Sequence, residues 1–247
     1  MSRLQVNQLS KQFDSQEILA DVTLTLEDGE FVSLLGPSGS GKSTLFHLIG
    51  GLYTPDHGSI ILDEKDITGK RGEISYMPQS PSLFPWRTII DNVLLAQELK
   101  EPPNRQKAKE MLIKAGLQEY VDSYPHQLSG GMKQRAAFVR SLLSPQKAIL
   151  LDEPFSALDE FTRMEMQKWL LSIWEEERPT VLFVTHDIEE AIFLSDRIVV
   201  LGNRPANIIK EIAIPFSRPR DEAIRLSEEF IDLKKEIYQL LRSVLDD

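Results

Sequence analysis

The sequence predicts an α/β fold with a mostly parallel sheet, and three observations lead to this class. Residues Val22–Leu26 alternate between apolar and polar side chains, which is typical of a strand with one buried face. Short continuous apolar runs such as Phe31–Leu35 suit strands that are buried on both faces. Helical patterns separate these runs, and strands that alternate with helices form mostly parallel sheets.

Taken in chain order, the first segments predict an antiparallel β region, because Leu4–Val6 and Leu9 alternate as Val22–Leu26 do. The buried strand Phe31–Leu35 is followed by a helix whose expected apolar face consists of Leu45, Leu48, Ile49 and Leu52. Residues from about 87 to 145 are rich in helical patterns and predict an inserted helical subdomain. The last strand signals are Ala148–Leu151, Thr180–Val184 and Arg197–Leu201.

The final segment, residues 221–247, predicts an amphipathic helix that packs on the preceding domain, residues 1–220. Apolar side chains recur at helical spacing along it, at Phe230, Leu233, Ile237, Leu241 and Val244.

Composition excludes several classes of protein. The chain has 247 residues, a formal net charge of −10 and no cysteine, so disulfides, thiolate metal sites and cysteine nucleophiles are excluded. The acidic balance argues against broad nucleic-acid binding, and no nucleic-acid partner is expected. No apolar run approaches the roughly 18 residues that a membrane-spanning helix needs.

A glycine-rich loop carries the first chemical signal. It matches the pattern G-x-x-x-x-G-K-[ST] between a buried strand and a helix, and its residues are Gly36, Pro37, Ser38, Gly39, Ser40, Gly41, Lys42, Ser43 and Thr44. Glycines let the backbone wrap around phosphate oxygens, and the following helix N-terminus attracts anions. Lys42 can reach the β- and γ-phosphates of ATP, and the Ser43 hydroxyl can ligate Mg²⁺.

A second Mg²⁺ anchor follows the apolar run Ala148–Leu151. Asp152 emerges at the C-terminal end of that predicted strand, where ligands bind in open α/β sheets. Asp152 would hold the Mg²⁺ shell, and the adjacent Glu153 is the natural general base for an attacking water.

The heptad Leu128–Gln134 distinguishes among the many classes of phosphate-loop protein. Its residues Ser129, Gly130 and Gly131 begin a predicted helix and can contact a γ-phosphate. With this heptad the chain resembles the ATP-binding-cassette ATPases, and the heptad is similar to their signature loop. The resemblance covers residues from about 3 to 220 and implies a P-loop nucleotide-hydrolase core.

The resemblance implies further roles. Phe13 stands where the family places an aromatic side chain, mostly Tyr, that stacks on adenine. Gln79 matches the glutamine that touches Mg²⁺ and the attacking water. Asp159 matches the aspartate that crosses to a second monomer, and His186 matches the histidine at the γ-phosphate. Two chains would then pair head to tail as a homodimer around ATP.

The resemblance also implies a transport role at the cytoplasmic face of the membrane. Residues 82–89 form an unusually apolar loop, with Phe84 and Trp86 as anchors for a separate membrane permease. The sequence segments around this loop, before the signature heptad and at residues 202–209 resemble those of importers of the nitrate, sulfonate and taurine group. That group also includes importers of pyrimidine precursors. An importer implies a solute-binding protein as an indirect partner.

Several alternatives remain open at this point. An exporter or an importer of another solute would share these motifs. Non-transport cassette ATPases usually carry long insertions between the phosphate loop and the signature, which this chain lacks. A module that binds ATP without turning it over is a further option, which a turnover assay separates. A small-molecule kinase is another, but its lid would give no reason for the Leu-Ser-Gly-Gly run of the heptad.

Overall fold

The computed structural model describes residues 3–100 and 102–246. Its strands are β1 (Leu4–Phe13), β2 (Gln16–Leu26), β3 (Phe31–Leu35), β4 (His57–Leu62), β5 (Lys65–Asp66), β6 (Ser75–Met77), β7 (Ala148–Asp152), β8 (Thr180–Val184), β9 (Arg197–Leu201) and β10 (Ile208–Ala213). Its helices are α1 (Lys42–Ile49), α2 (Ile89–Glu98), α3 (Arg105–Lys114), α4 (Gly130–Leu142), α5 (Glu160–Glu177), α6 (Ile188–Leu194) and α7 (Glu228–Asp246).

The chain falls into two compact units. The first combines residues 1–74 with residues 178–247, and the second contains residues 75–177. The second unit is wider than the helical subdomain expected at about 87–145, because β6, β7 and α5 belong to it. The segment 221–247, apart from Asp247, which lies outside the described residues, forms part of the first unit.

The first unit contains an antiparallel sheet in the order β2-β1-β4-β5. Leu4 pairs with Leu26 and Val6 pairs with Leu24, so the alternating apolar residues of both strands share one face. All four of these side chains are at most 1% exposed. The predicted antiparallel β region is therefore confirmed.

The first unit also contains the strands that position the glycine-rich loop. The β3 strand lies between β8 and β9 and is parallel to both, and β10 adds an antiparallel edge beside β9. All five residues of β3 are buried, as its continuous apolar run predicts. This parallel arrangement places the ends of β3 and β8, with the residues that follow them, at the same edge of the sheet.

The second unit combines the parallel pair β6–β7 with the helices α2, α3, α4 and α5. Helices α2, α3 and α4 surround a shared apolar core that includes Leu94, Leu112 and Val139. Each of these side chains is at most 2% exposed. The core fixes α4 against α2, and both helices support the loops described below.

Two expectations about helix ends were wrong. The α1 helix ends at Ile49, because Gly50 and Gly51 follow it and Gly51 adopts a positive φ of 71°. Leu52 therefore lies outside the helix and is 41% exposed. The last helix begins at Glu228, later than the expected start near Asp221, and a 3-10 turn spans Glu222–Leu226.

The last helix buries one face in the first unit. Phe230, Ile237 and Val244 are at most 5% exposed, and the first two pack with α6, β9 and β10. No helix among residues 3–100 and 102–246 is both long and apolar enough to cross a bilayer.

Candidate nucleotide site

The glycine-rich loop connects β3 to α1 in the first unit. Gly39 and Gly41 adopt φ values of 80° and 109°, a left-handed conformation that favours glycine. A Cβ on Gly36 would lie 2.9 Å from the carbonyl oxygen of Leu201. The glycines are therefore required by backbone conformation and by close packing against β9.

The loop has the donors that a phosphate chain needs. The Lys42 ammonium donates to the carbonyl oxygens of Gly36 and Pro37 at 2.8 Å each, so it folds back over the loop. The Ser40 hydroxyl is buried and makes no hydrogen bond within the described residues. The α1 helix starts at Lys42 after Gly41, which contributes no side-chain cap. This combination of cation, hydroxyl and uncapped helix N-terminus fits an anion.

The remaining loop residues lie around this cradle. Ser38 is exposed between Pro37 and Gly39. Ser43 and Thr44 occupy the first turn of α1, and Ser43 is exposed, as a hydroxyl that ligates Mg²⁺ requires.

Phe13 lies at the end of β1 and is 38% exposed. Its ring meets Tyr53 edge-on with centroids 5.4 Å apart, and the Lys11 ammonium lies 5.3 Å from the ring centroid. These contacts hold the ring in place while leaving part of its surface open for stacking.

His186 follows β8 and is exposed. Its two neighbours are fixed, since the amide of Asp187 donates to the Thr185 hydroxyl at 3.0 Å, and that hydroxyl bonds Glu190 at 2.6 Å. Asp187 also caps α6 by accepting from the amides of Glu189 and Glu190. The backbone of His186 is therefore tied to the start of α6.

The second unit brings Gln79 and Glu153 together. The Gln79 side-chain amide donates to the Glu153 carboxylate at 2.9 Å. Glu153 has a positive φ of 47°, an unusual conformation for a residue with a side chain. Backbone strain of this kind is often found at functional positions.

Asp152 is the last residue of β7 and is 6% exposed. The Tyr76 hydroxyl donates to its carboxylate at 3.4 Å. Burial, together with the charge of Asp152, raises the pKa of the Tyr76 phenol, so Tyr76 remains a neutral donor. Carboxylate, amide and hydroxyl oxygens are the ligands that Mg²⁺ prefers, so Asp152 and Gln79 in the second unit and Ser43 in the first unit are each chemically suited to it.

The signature residues lie at the start of α4. Ser129 caps the helix by accepting from the amide of Met132, and both Ser129 and Gly130 are exposed. A Cβ on Gly130 would meet nothing within 4 Å, whereas one on Gly131 would lie 3.1 Å from the Leu158 side chain. Gly130 is therefore open toward a ligand or a partner, and Gly131 packs on the segment that leads to Asp159.

Asp159 is exposed and precedes α5. It accepts a hydrogen bond from the amide of Thr162 at 3.0 Å, and this bond lowers the pKa of the Asp159 carboxyl. The side chain is therefore a fixed anion beside the signature loop.

Sequence reasoning missed three residues that support these groups. Tyr76 bonds Asp152, the Gln134 side chain donates to the Gln79 carbonyl at 3.3 Å, and Asn92 holds the apolar loop described below. Gln134 lies within the signature heptad, and Tyr76 lies three residues before Gln79. Their positions next to recognised motifs could have pointed to these two residues, whereas no motif adjoins Asn92 in the sequence.

Comparison with known proteins places these motifs in a family. The family model described as ABC transporter matches residues 19–156. An uncharacterised ABC transporter ATP-binding protein of Methanocaldococcus jannaschii is 41% identical, with 97% of this chain and 91% of the relative covered. An aliphatic sulfonates import ATP-binding protein, SsuB, of Bacillus cereus is 42% identical, with 95% and 94% covered.

Solved structures agree with the sequence relatives. A dimeric structure of the ATP-binding cassette MJ0796 in a post-hydrolysis state, bound to ADP and Pi, has a TM-score of 0.77 and 31% identity. It covers 87% of this chain and all of that one. The predicted P-loop nucleotide-hydrolase fold is thereby confirmed. The family match, the relatives and the cassette structure lead to one conclusion: this chain belongs to the ABC transporter family as an ATP-hydrolysing, ATP-binding cassette protein.

Proposed function

We propose that this ABC ATPase drives an importer of a small solute of the sulfonate, taurine and nitrate type, or of a pyrimidine precursor. The 42% identity to a sulfonate-import ATP-binding protein over 95% of the chain is the observation that carries this proposal. The chain would work at the cytoplasmic face of the membrane with a separate permease. A solute-binding protein would deliver the solute to that permease.

In ATP hydrolysis, Lys42 would bind the β- and γ-phosphates through its ammonium group. Asp152, Ser43 and Gln79 would hold Mg²⁺, which would supply positive charge to the phosphates. Glu153 would accept the proton of the attacking water, with its carboxylate oriented by Gln79. His186 would donate to the γ-phosphate.

A homodimer would complete the site. The exposed positions of Ser129, Gly130 and Asp159 support contacts to ATP bound by a second copy of the chain. Gly131 would keep the Ser129–Gly130 turn close to the Asp159 segment through its contact with Leu158. The dimeric structure of the MJ0796 cassette supports the same arrangement.

The apolar loop at residues 82–89 would bind the permease. Phe84 and Trp86 stack with their centroids 5.0 Å apart and an interplanar angle of 16°. Trp86 is 71% exposed, although a side chain of this size is normally buried. Large exposed aromatic side chains are typical anchors of protein interfaces.

The variant Trp86→Ala tests this docking role. Because a central aromatic anchor contributes about 2 kcal/mol or more to an interface, affinity for the permease should fall by roughly 30-fold, and less of the permease should co-purify. ATP affinity and the unfolding temperature of the isolated chain serve as controls for folding. Unchanged co-purification would remove Trp86 from the interface.

Uptake in a deletion strain tests the importer proposal directly. We expect loss of uptake of one solute among labelled taurine, alkanesulfonates, nitrate and pyrimidine precursors. Rescue by the wild-type chain, but not by Glu153→Gln, would tie the loss to ATP hydrolysis. Normal uptake of all four classes would contradict the assigned importer group and leave the ATPase activity standing.

A further inference from the structure

Helix α4 contacts the segment between Gln79 and the aromatic pair at three backbone carbonyls. The Gln134 side chain donates to the Gln79 carbonyl at 3.3 Å. The Arg140 guanidinium donates to the carbonyls of Pro81 and Ser82 at 2.9 Å each. The segment is thus fixed to the side of α4 at both of its ends.

The same helix begins at the signature loop. Ser129 caps it, and Arg140 lies about 15 Å along the axis from Gly130 at 1.5 Å per residue. A regular helix moves as a rigid element over such a length. A displacement of the Ser129–Gly130 turn is therefore transmitted to Arg140 and to the two carbonyls that it binds.

The aromatic pair is held at the other end of the loop by Asn92, which is fully buried. Its side-chain oxygen accepts from the Phe84 amide at 2.6 Å. Its amide group donates to the carbonyls of Phe84, Arg87 and Thr88 at 2.9–3.1 Å. These four bonds tie Phe84, Arg87 and Thr88 to one side chain on either side of Trp86, and Ser82 lies two residues before Phe84.

The two hydrogen bonds to Pro81 and Ser82 depend on the type of side chain at position 140. Arginine presents several donors in a planar fork, so one side chain can bind two successive carbonyls. Burial lowers the pKa of the Arg140 guanidinium, but arginine stays charged in proteins, so both bonds are charge-assisted. Lysine has a single ammonium group and cannot reproduce the fork geometry.

From these contacts we propose that Arg140 is a positioning residue that links the signature loop to the permease-docking loop. When ATP engages the signature end of α4, Arg140 repositions Pro81 and Ser82 and thereby the Phe84–Trp86 surface. This inference rests on the proposed permease role of that surface, but its test needs only the purified chain and MgATP.

The test is hydrogen exchange of the Ser82–Thr88 amides, measured by mass spectrometry with and without MgATP in a Glu153→Gln background. We expect MgATP to change their exchange about fivefold, the effect of gaining or losing about one hydrogen bond. In Arg140→Met the change should disappear. The matched control Arg135→Met lies on the same helix and removes a bond to the Ala115 carbonyl instead, so the change should persist.

Binding of a fluorescent ATP analogue separates the possible failures. If the parent binds the analogue but its loop changes less than about twofold, this inference is overturned and the ATPase role stands. If the loop responds equally in Arg140→Met, the inference is also overturned. If the parent does not bind the analogue, the proposed nucleotide roles fail first.

Should Arg140→Met not fold, Arg140→Lys takes its place. Lysine keeps the charge but lacks the planar fork that fixes both carbonyls in one geometry, so at least half of the MgATP-dependent change should be lost. A full response in Arg140→Lys overturns the inference.

Discussion

At the residue scale, the proposed chemistry depends on a few side chains with an unusual backbone conformation or unusual hydrogen bonds. Glu153 has a positive φ and accepts from Gln79, and Lys42 folds back onto the carbonyls of its own loop. In the proposed binding role, the Lys42 ammonium would exchange these protein carbonyls for phosphate oxygens when a nucleotide binds. Because charged partners form stronger hydrogen bonds than neutral carbonyls, this exchange favours the nucleotide.

The variant Lys42→Ala tests that exchange. Since a charge-assisted hydrogen bond contributes about 1.5–3 kcal/mol, ATP affinity should fall by roughly 10- to 150-fold. Titration with a fluorescent ATP analogue measures the change. Lys70→Ala is the control, because Lys70 is exposed and bonds only the Asp66 carbonyl among the contacts described. Equal affinities of the two variants would contradict the role of Lys42.

At the element scale, the apolar loop before α2 depends on the first turn of that helix. Thr88 caps α2, and Asp91 bonds the Thr88 hydroxyl and forms an ion pair with Arg105 at 2.9 Å. The hydrogen bond from Thr88 is the main reason that the pKa of the Asp91 carboxyl is lowered, and Arg105 adds to it. The charged form of Asp91 therefore stabilises the folded chain.

This lowered pKa predicts a pH-dependent effect of Asp91→Asn. A carboxyl with a depressed folded pKa stabilises the fold above its unfolded pKa, about 3.9, and loses that contribution as the pH falls through the folded value. Urea unfolding should therefore show Asp91→Asn less stable than the wild type at pH 7. The difference should shrink when the pH is lowered below about 4.

The comparison variant is Asp122→Asn, whose side chain is 85% exposed and lies 3.8 Å from the same arginine. Exposed ion pairs contribute about 0–1 kcal/mol, so this variant should differ little from the wild type at either pH. A destabilisation by Asp91→Asn that is independent of pH would show that the carboxylate charge is not the cause.

Much of this architecture could be predicted from sequence, and the misses have a physical pattern. The buried strands β3, β8 and β9 agree with their predicted bounds, because continuous apolar runs identify strands covered on both faces. Strand β10 carried no comparable signal, since it is an edge strand with mostly exposed residues. Edge strands are defined by their pairing partners, which local sequence does not show.

The candidate site shows the same distinction. The glycine-rich loop, Asp152 and the Ser129 turn were predicted because each motif is local in sequence and has a fixed flanking element. The bonds from Tyr76 to Asp152 and from Asn92 to Phe84 depend on tertiary packing. Neither could be predicted from spacing, and both hold candidate functional residues in position.

At the scale of the whole molecule, the C-terminal segment is an integral part of the first unit. Arg220 is buried and donates to the carbonyls of Ile192, Phe193 and Ser195 at the end of α6. The α7 helix adds the apolar contacts of its buried face. The segment is thereby fixed to α6, which follows His186.

A pair of variants on α7 tests this integration. Phe230 is 1% exposed, so Phe230→Ala should lower the free energy of unfolding by about 3–5 kcal/mol through cavity formation. Tyr238 is 58% exposed on the same helix, and Tyr238→Ala should change it by less than about 0.5 kcal/mol. Denaturant unfolding of both variants measures the difference. Equal and small effects would mean that α7 does not contribute to the core.

The measurement that tests the central claim most directly is ATP turnover by the wild-type chain and by Glu153→Gln, with nucleotide affinity determined in parallel. The substitution keeps the shape of the side chain but removes the base, so ATP should still bind. Turnover should fall by about 10²- to 10⁴-fold, the usual contribution of a general base. Near-normal turnover by Glu153→Gln would contradict the assignment of Glu153 as the base that activates water.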